Sequence, residues 1–279
     1  GSVVTALAKR GLVEVKHRRR IRGAGEPTSL SSASAPRPDH LTDGQLAALD
    51  AIARATDAGC GDVVLVDGVT GSGKTEVYLD AIECVRERGR SAIVLVPEIS
   101  LTAQTVGRFR SRFGDDVAIL HSRLSSGERF DQWDLARCGR VHVVVGARSA
   151  LFAPLSNVGL VIVDEEHEGS YKQDQAPRYH AREAAAELAR LRGAALVLGS
   201  ATPSLESLER CRAGSWRGVR WTRVSMPERP GGSRLPSVRI IDMRSTFSPK
   251  GGSVFSSPLR DALLDRAEKR EKSVLLLNR

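Results

Sequence analysis

Gly68-Val-Thr-Gly71-Ser72-Gly73-Lys74-Thr75 joins an apolar run, Val63-Val-Leu-Val66, to a stretch with helical spacing. G-x-x-x-x-G-K-T between a strand and a helix is a phosphate cradle. Gly71, Ser72 and Gly73 let backbone N–H groups curl round phosphate oxygens, and the helix N-terminus adds partial positive charge. Lys74 is then placed to reach the β and γ phosphates of ATP, and the Thr75 hydroxyl to ligate Mg²⁺. An ordinary glycine-rich turn would not need the flanking strand and helix.

A second group, Asp164-Glu165-Glu166-His167, directly follows the apolar run Leu160-Val-Ile-Val163. Ligands of open α/β sheets bind at the carboxyl ends of strands. Asp164 is expected to hold Mg²⁺ through water, and Glu165 to orient and deprotonate the attacking water, because phosphoryl transfer asks mainly for positioning and charge neutralisation. Lys74, Asp164 and Glu165 are the candidate catalytic residues. Gly199-Ser200-Ala201-Thr202-Pro203 ends a further apolar run. Its hydroxyls, Ser200 and Thr202, either bond to the acidic group or to His167 and couple nucleotide state to nucleic acid, or cap the next helix. The residues alone leave both open.

The elements that must hold these groups follow from hydrophobic periodicity. Unbroken Val/Ile/Leu runs lie at 63–66, 92–96, 117–120, 141–145, 158–163 and 195–198, and helical patterns at 41–57, 74–88, 100–112, 125–138, 180–192 and 203–212. Runs without polar alternation are strands covered on both faces, and short connections to intervening helices make a doubly wound parallel α/β sheet. Residues 23–39 are rich in Ser, Pro, Gly and Ala and read as a flexible linker. Residues 1–22 before it read as a helix, a Gly11 turn and a strand, the end of a winged-helix-like DNA-binding module that closes on a basic run. One lobe is expected over 40–224, then a connector with a strand at 238–242, a helix at 257–269 and a strand at 274–277. Residues 225–279 as a whole read as the connector and incomplete start of a second lobe, so the chain reads as part of something longer.

Composition narrows the class. With 279 residues and 41% apolar content the chain can bury a core, and a net charge of +9, carried mostly by arginine, favours a polyanionic partner as readily as a solvated basic surface. Cys60, Cys84, Cys138 and Cys211 form no C-x-x-C pair, so neither a zinc site nor a disulfide framework is indicated. No apolar run is long enough to span a membrane and no secretory pattern is present, which points to the cytoplasm.

The ordered segments GVTGSGKTEVYL (68–79), VPEISLTAQT (96–105), LHSRLSSGER (120–129), VVVGARSALFAPL (143–155), VIVDEEHEGSYKQDQAPRYHAR (161–182) and LGSATPSLES (198–207) resemble superfamily 2 helicases, specifically the bacterial replication-restart branch. The resemblance implies a RecA-like P-loop NTPase lobe that uses ATP and Mg²⁺ and moves 3′ to 5′ on single-stranded and forked DNA. Its implied partners are primosome and replisome proteins and single-strand-binding protein, in a cytoplasmic, nucleoid-associated setting. It also implies that Gln45 contacts adenine, that 96–105 and Arg148 touch the single strand, and that Tyr171-Lys172-Gln173-Asp174 is an aromatic-rich loop linking DNA to hydrolysis. Tyr171, Lys172, Arg178 and Tyr179 interleave rings with cations, which suits base stacking and phosphate contact, or else local packing. The family's zinc-binding cysteines and the arginine of its second lobe have no counterpart in these residues. A transition-state arginine supplied from outside is worth roughly 10³ or more in rate, so the chain alone is expected to bind nucleotide weakly, hydrolyse it slowly and not unwind DNA. The same motifs also fit another nucleic-acid translocase, such as an RNA helicase or restriction-enzyme subunit, or a scaffold that senses ATP without unwinding.

Overall fold

The computed structural model describes residues 2–14, 40–230, 237–244 and 255–276. In chain order the elements are α1 (Ser2–Lys9), α2 (Asp43–Ala58), β1 (Val63–Gly68), α3 (Lys74–Glu87), β2 (Ser91–Leu95), α4 (Ala103–Phe113), β3 (Val117–Leu120), α5 (Ser126–Arg137), β4 (Val143–Gly146), β5 (Val158–Asp164), β6 (Lys172–Gln173), β7 (Tyr179–His180), α6 (Ala181–Arg192), β8 (Ala195–Ser200), α7 (Leu205–Ala213), β9 (Ser215–Trp216), β10 (Val219–Met226) and α8 (Ser257–Glu268). Short 3₁₀ turns fall at Glu98–Ser100, Arg148–Phe152 and Gly169–Tyr171. Internal contacts divide the chain into residues 1–233 and 234–279.

Eight strands form one sheet in the order β3-β4-β2-β5-β8-β1-β10-β9, parallel throughout except for the antiparallel pair β9 and β10. This is the expected doubly wound arrangement. One face carries a core that includes Ile52 from α2, Val77 and Ile82 from α3 and Phe109 from α4, against Val64, Val94 and Ile162 of the sheet. The opposite face packs Ala136 of α5 and Ala185 and Ala189 of α6 against Ile93, Val161 and Leu196. Polar ends are closed locally: the Thr42 hydroxyl accepts from Gln45 N–H and the Gln45 side chain accepts from Thr42 N–H, a capping box that starts α2.

Sequence reading missed β10. Val219 and Trp221 are buried on one face and Met226 on the other, while Arg220, Arg223 and Ser225 are exposed, so this strand near the sheet edge offers no unbroken apolar run. β10 runs parallel to β1 from Val63↔Trp221 to Gly68↔Met226, which sets Met226 beside the start of the phosphate loop. Of the later expectations, the helix is present as α8, opened by the Ser256 hydroxyl accepting from Leu259 N–H. The strands expected at 238–242 and 274–277 are not: residues 237–243 and 271–276 belong to no regular element, and Leu277 lies outside the described residues. An apolar run becomes a strand only where another backbone completes its hydrogen bonds, and Ile240 and Val274 are exposed at 93% and 97%. At the other end, 13–14 are not in a strand, and the basic run and the linker at 23–39 lie outside the described residues. Among the described residues no helix is long and apolar enough to cross a membrane.

Candidate nucleotide site

The loop between β1 and α3 turns on Gly71 and Gly73, whose φ angles are 84° and 85°. An L side chain is strained in that region, and at Gly73 a Cβ would also lie 2.2 Å from the Gln45 amide nitrogen. Gly73 is the N-cap of α3 and provides no side-chain cap, so first-turn N–H groups face the loop without a side-chain partner. Thr75 is partly buried in that turn. Lys74 is buried, and its ammonium donates to the Gly68 carbonyl at 2.7 Å. The Ser72 hydroxyl is buried with no hydrogen-bond partner. A buried ammonium, an unpartnered hydroxyl and first-turn N–H groups without a side-chain cap suit a polyphosphate.

Gln45, for which an adenine contact is implied, is engaged within the protein. Its side chain is 2% exposed, with one amide end accepting from Thr42 N–H and the other donating to the Ser72 carbonyl at 3.2 Å. Both ends are engaged within the protein, so Gln45 ties α2 to the phosphate loop.

Two strands from β1, across β8, the acidic group leaves the end of β5. The Glu165 carboxylate is 3.7 Å from the Lys74 ammonium, which brings two motifs far apart in the chain into one site. Asp164 accepts a hydrogen bond from the Tyr78 hydroxyl of α3 at 3.0 Å. Burial pushes the Asp164 carboxyl above its ordinary range and the Glu165 charge adds to this, while the Tyr78 hydrogen bond and Lys74 oppose it. Such a carboxyl gains from a nearby cation, which is the chemistry asked of a Mg²⁺ ligand. Glu165 has a φ of 46°, a left-handed backbone that few residues other than glycine adopt, and one that concentrates at functional sites. Gly199 pairs with Asp164 on β8, where a Cβ would stand 1.6 Å from the Tyr78 hydroxyl. No side chain can replace its hydrogen.

Neither Ser200 nor Thr202 caps the next helix. The cap of α7 is Ser204, whereas Ser200 bonds through its hydroxyl to His167 Nδ1 at 2.7 Å and accepts from Thr202 N–H at 2.9 Å. His167 is also 3.7 Å from Glu165. Ser200, His167 and Glu165 form one line of contacts. Thr202 joins it through its backbone.

Tyr171 requires a correction. It is 1% exposed, and its hydroxyl donates to the Leu95 carbonyl at 3.1 Å and to the Asp164 carbonyl at 2.6 Å. A ring held under the ends of β2 and β5 cannot stack on a base; it supports the acidic loop. Arg148 is half-buried and donates to the Ser170 and Lys172 carbonyls at 3.0 and 2.6 Å. Lys172 and Arg178 are exposed. Beside Arg148, Phe152 and Tyr179 meet edge to face at 5.3 Å. Together with His121, Arg129 and Trp133 they line a cavity of about 500 Å³ at the carboxyl ends of the outer strands. Sequence reasoning assigned no role to Tyr78, Glu166, Arg182 or Gly199, although all four lie in segments it singled out.

Residues 42–211 match the model of the DEAD/DEAH box helicases, a span that takes in both motifs and the Ser200 loop. The chain belongs to that family. Within the family's neighbourhood it is 43% identical over 278 residues to the replication restart protein PriA of Bacillus subtilis, a match that covers 100% of this chain and 34% of that protein. The PriA of a Synechocystis species is 43% identical over 286 residues, covering 100% of this chain and 33% of that protein. The chain therefore spans about a third of the length of these curated relatives. Among solved structures, RecG bound to a three-way DNA junction is similar with a TM-score of 0.48 and 23% identity, covering 71% of this chain and 25% of that one.

Proposed function

We propose that this chain is the first, ATP-binding motor lobe of a replication-restart DNA helicase that moves 3′ to 5′ along DNA at stalled or abandoned forks. The observation that carries the reading is the meeting of Lys74 and Glu165 at 3.7 Å beneath an uncapped helix N-terminus. That arrangement brings a phosphate cradle and a base together at the carboxyl end of the sheet.

In the hydrolytic step the loop N–H groups hold the β and γ phosphates and Lys74 exchanges the Gly68 carbonyl for phosphate oxygens. Thr75 and, through water, Asp164 would hold a Mg²⁺ ion, which would supply neutralisation of charge on the phosphates. Glu165 takes the proton of the attacking water, and the bond from the γ phosphorus to the bridging oxygen breaks to release ADP and phosphate. The line from Glu165 through His167 to Ser200 gives the site a route to the rest of the lobe. Exposed Lys172 and Arg178, with the rings of Phe152 and Tyr179, offer the single strand phosphate contacts and stacking faces. The second lobe, primosome proteins and single-strand-binding protein complete the activity, so this lobe alone binds ATP weakly, turns it over slowly and does not unwind DNA.

The test is ATP turnover by the full-length protein with and without forked DNA, and unwinding of duplexes bearing a 3′ or a 5′ tail. DNA-stimulated turnover with unwinding from the 3′-tailed strand supports the reading. Turnover without unwinding on either substrate would favour a scaffold that senses ATP, and stimulation by RNA in place of DNA would favour another translocase of the superfamily.

A further inference from the structure

Glu166 follows the candidate base, and its side chain is fully buried. One carboxylate oxygen accepts from Ser204 N–H at 2.7 Å, at the N-terminus of α7. The other accepts from the Arg182 guanidinium at 2.7 Å and from the Ser204 and Ser207 hydroxyls, each at 3.1 Å. Arg182, in the first turn of α6, also donates to the Ser204 hydroxyl, and only 8% of its side chain is exposed. Glu166 N–H donates to the Gly199 carbonyl at 3.0 Å. The Glu166 carboxylate thus pins the exit of β5 to α6 and α7, and its backbone N–H pins it to β8.

A buried ion pair is often no more stabilising than apolar side chains of the same shape, so stability alone does not account for it. What distinguishes the position is its neighbour. Glu165 has φ 46°, and such a backbone persists only where its surroundings fix it on both sides. On one side Asp164 is paired with Gly199 in the sheet; on the other stands Glu166 with its four donors. Neither flank can rotate to relieve Glu165. An Arg–Glu pair adds direction as well as charge.

We infer that Glu166 and Arg182 are positioning residues for hydrolysis: their buried pair holds Glu165 in the left-handed conformation that sets its carboxylate beside Lys74. The inference rests on the hydrolytic role proposed for Glu165. Glu166 acts on the reaction through its neighbour and touches no phosphate.

The experiment compares wild-type full-length protein with Glu166→Gln, Arg182→Lys and the double variant, measuring DNA-stimulated kcat and KM, equilibrium binding of a fluorescent ATP analogue, and Tm. A misplaced reacting group costs up to about 100-fold, so kcat is expected to fall by roughly 10- to 100-fold in each single variant while analogue affinity stays within about twofold. The double variant is expected to be no slower than the slower single one, since both changes break one device. Ser207→Ala, which removes one hydroxyl donor and leaves the ion pair, guards against misfolding and is expected to lower kcat by about two- to fivefold with Tm nearly unchanged. Variants that lose Tm yet keep wild-type kcat, or that lose analogue binding in proportion to kcat, would show a merely structural pair and overturn the inference. Absence of turnover by the wild type in the same assay would overturn the proposed function and this role with it.

Discussion

The loop that leaves β5 at Asp164 and the stretch from Tyr171 to Tyr179 are a few residues apart and are built on opposite plans. In the first, Asp164 is held by Tyr78, Glu165 faces Lys74 from a left-handed backbone, and Glu166 is buried among four donors. In the second the single large buried group is the Tyr171 ring, while Lys172, Asp174 and Arg178 stand in solvent. Reaction at phosphorus rewards charges fixed before substrate arrives. Contact with a polyanion rewards cations that remain exposed and exchange counterions for phosphates. On the function proposed here, the two loops divide those tasks within one segment.

Substitutions can break this contrast, beginning with the largest effect on stability. Tyr171→Ala empties a buried aromatic site and is expected to cost about 3–5 kcal/mol in chemical denaturation, with turnover falling as the acidic loop loses its support. Lower DNA affinity at unchanged stability would instead make Tyr171 a stacking residue. Gly199→Ala places a methyl 1.6 Å from the Tyr78 hydroxyl and is expected to cost about 1–3 kcal/mol through overpacking, displacing Tyr78 from Asp164. A variant of wild-type Tm would contradict the packing described.

Asp164→Asn should act in the opposite direction. Burial and the Glu165 charge raise the Asp164 carboxyl in the folded state. Its stabilising contribution is therefore present below the ordinary carboxyl range and lost as pH rises through the raised value, so at neutral pH its charge weighs against the fold. Asparagine keeps an acceptor for Tyr78 and removes the charge. Tm without nucleotide is expected to rise by about 2 °C or more at pH 7, with the gain vanishing in acid and with Mg²⁺-dependent hydrolysis abolished. A lower Tm at pH 7 would mean that Asp164 is well compensated without a cation. The smallest stability effect is predicted for Lys172→Ala and Arg178→Ala, within about 0.5 kcal/mol. Each is expected to reduce the salt dependence of single-strand binding by about 0.7 in the log–log slope if it contacts one phosphate. An unchanged slope would remove that residue from the DNA surface.

What was legible in the sequence was what depends on neighbours in the chain. Lys74 and Glu165 are recognisable because a strand, a turn and a helix or acidic loop must follow one another closely, and the apolar runs that make the sheet parallel carry the same local signal. Tyr171 was misread because a tyrosine beside a lysine gives no hint of the Leu95 carbonyl it meets, 76 positions earlier. Glu166 was visible as one acid among three, but its partners lie 16 and 38 positions away, and nothing local tells a buried acid from a solvated one. β10 had a signal in the alternation of Val219, Arg220 and Trp221, a pattern different from the continuous runs of the inner strands. Gln45 shows a further limit: a motif gives the residue, whereas the fold decides what it touches.

The central claim is that the phosphate loop and the acidic loop form one hydrolytic site with separable roles, and titration of the full-length protein with a fluorescent ATP analogue beside single-turnover hydrolysis tests it most directly. Glu165→Gln should bind the analogue as the wild type does and hydrolyse ATP about 10²- to 10⁴-fold more slowly, as loss of a general base requires, while Lys74→Ala should lose binding itself. Wild-type hydrolysis by Glu165→Gln, or full analogue affinity together with full turnover in Lys74→Ala, would contradict the account.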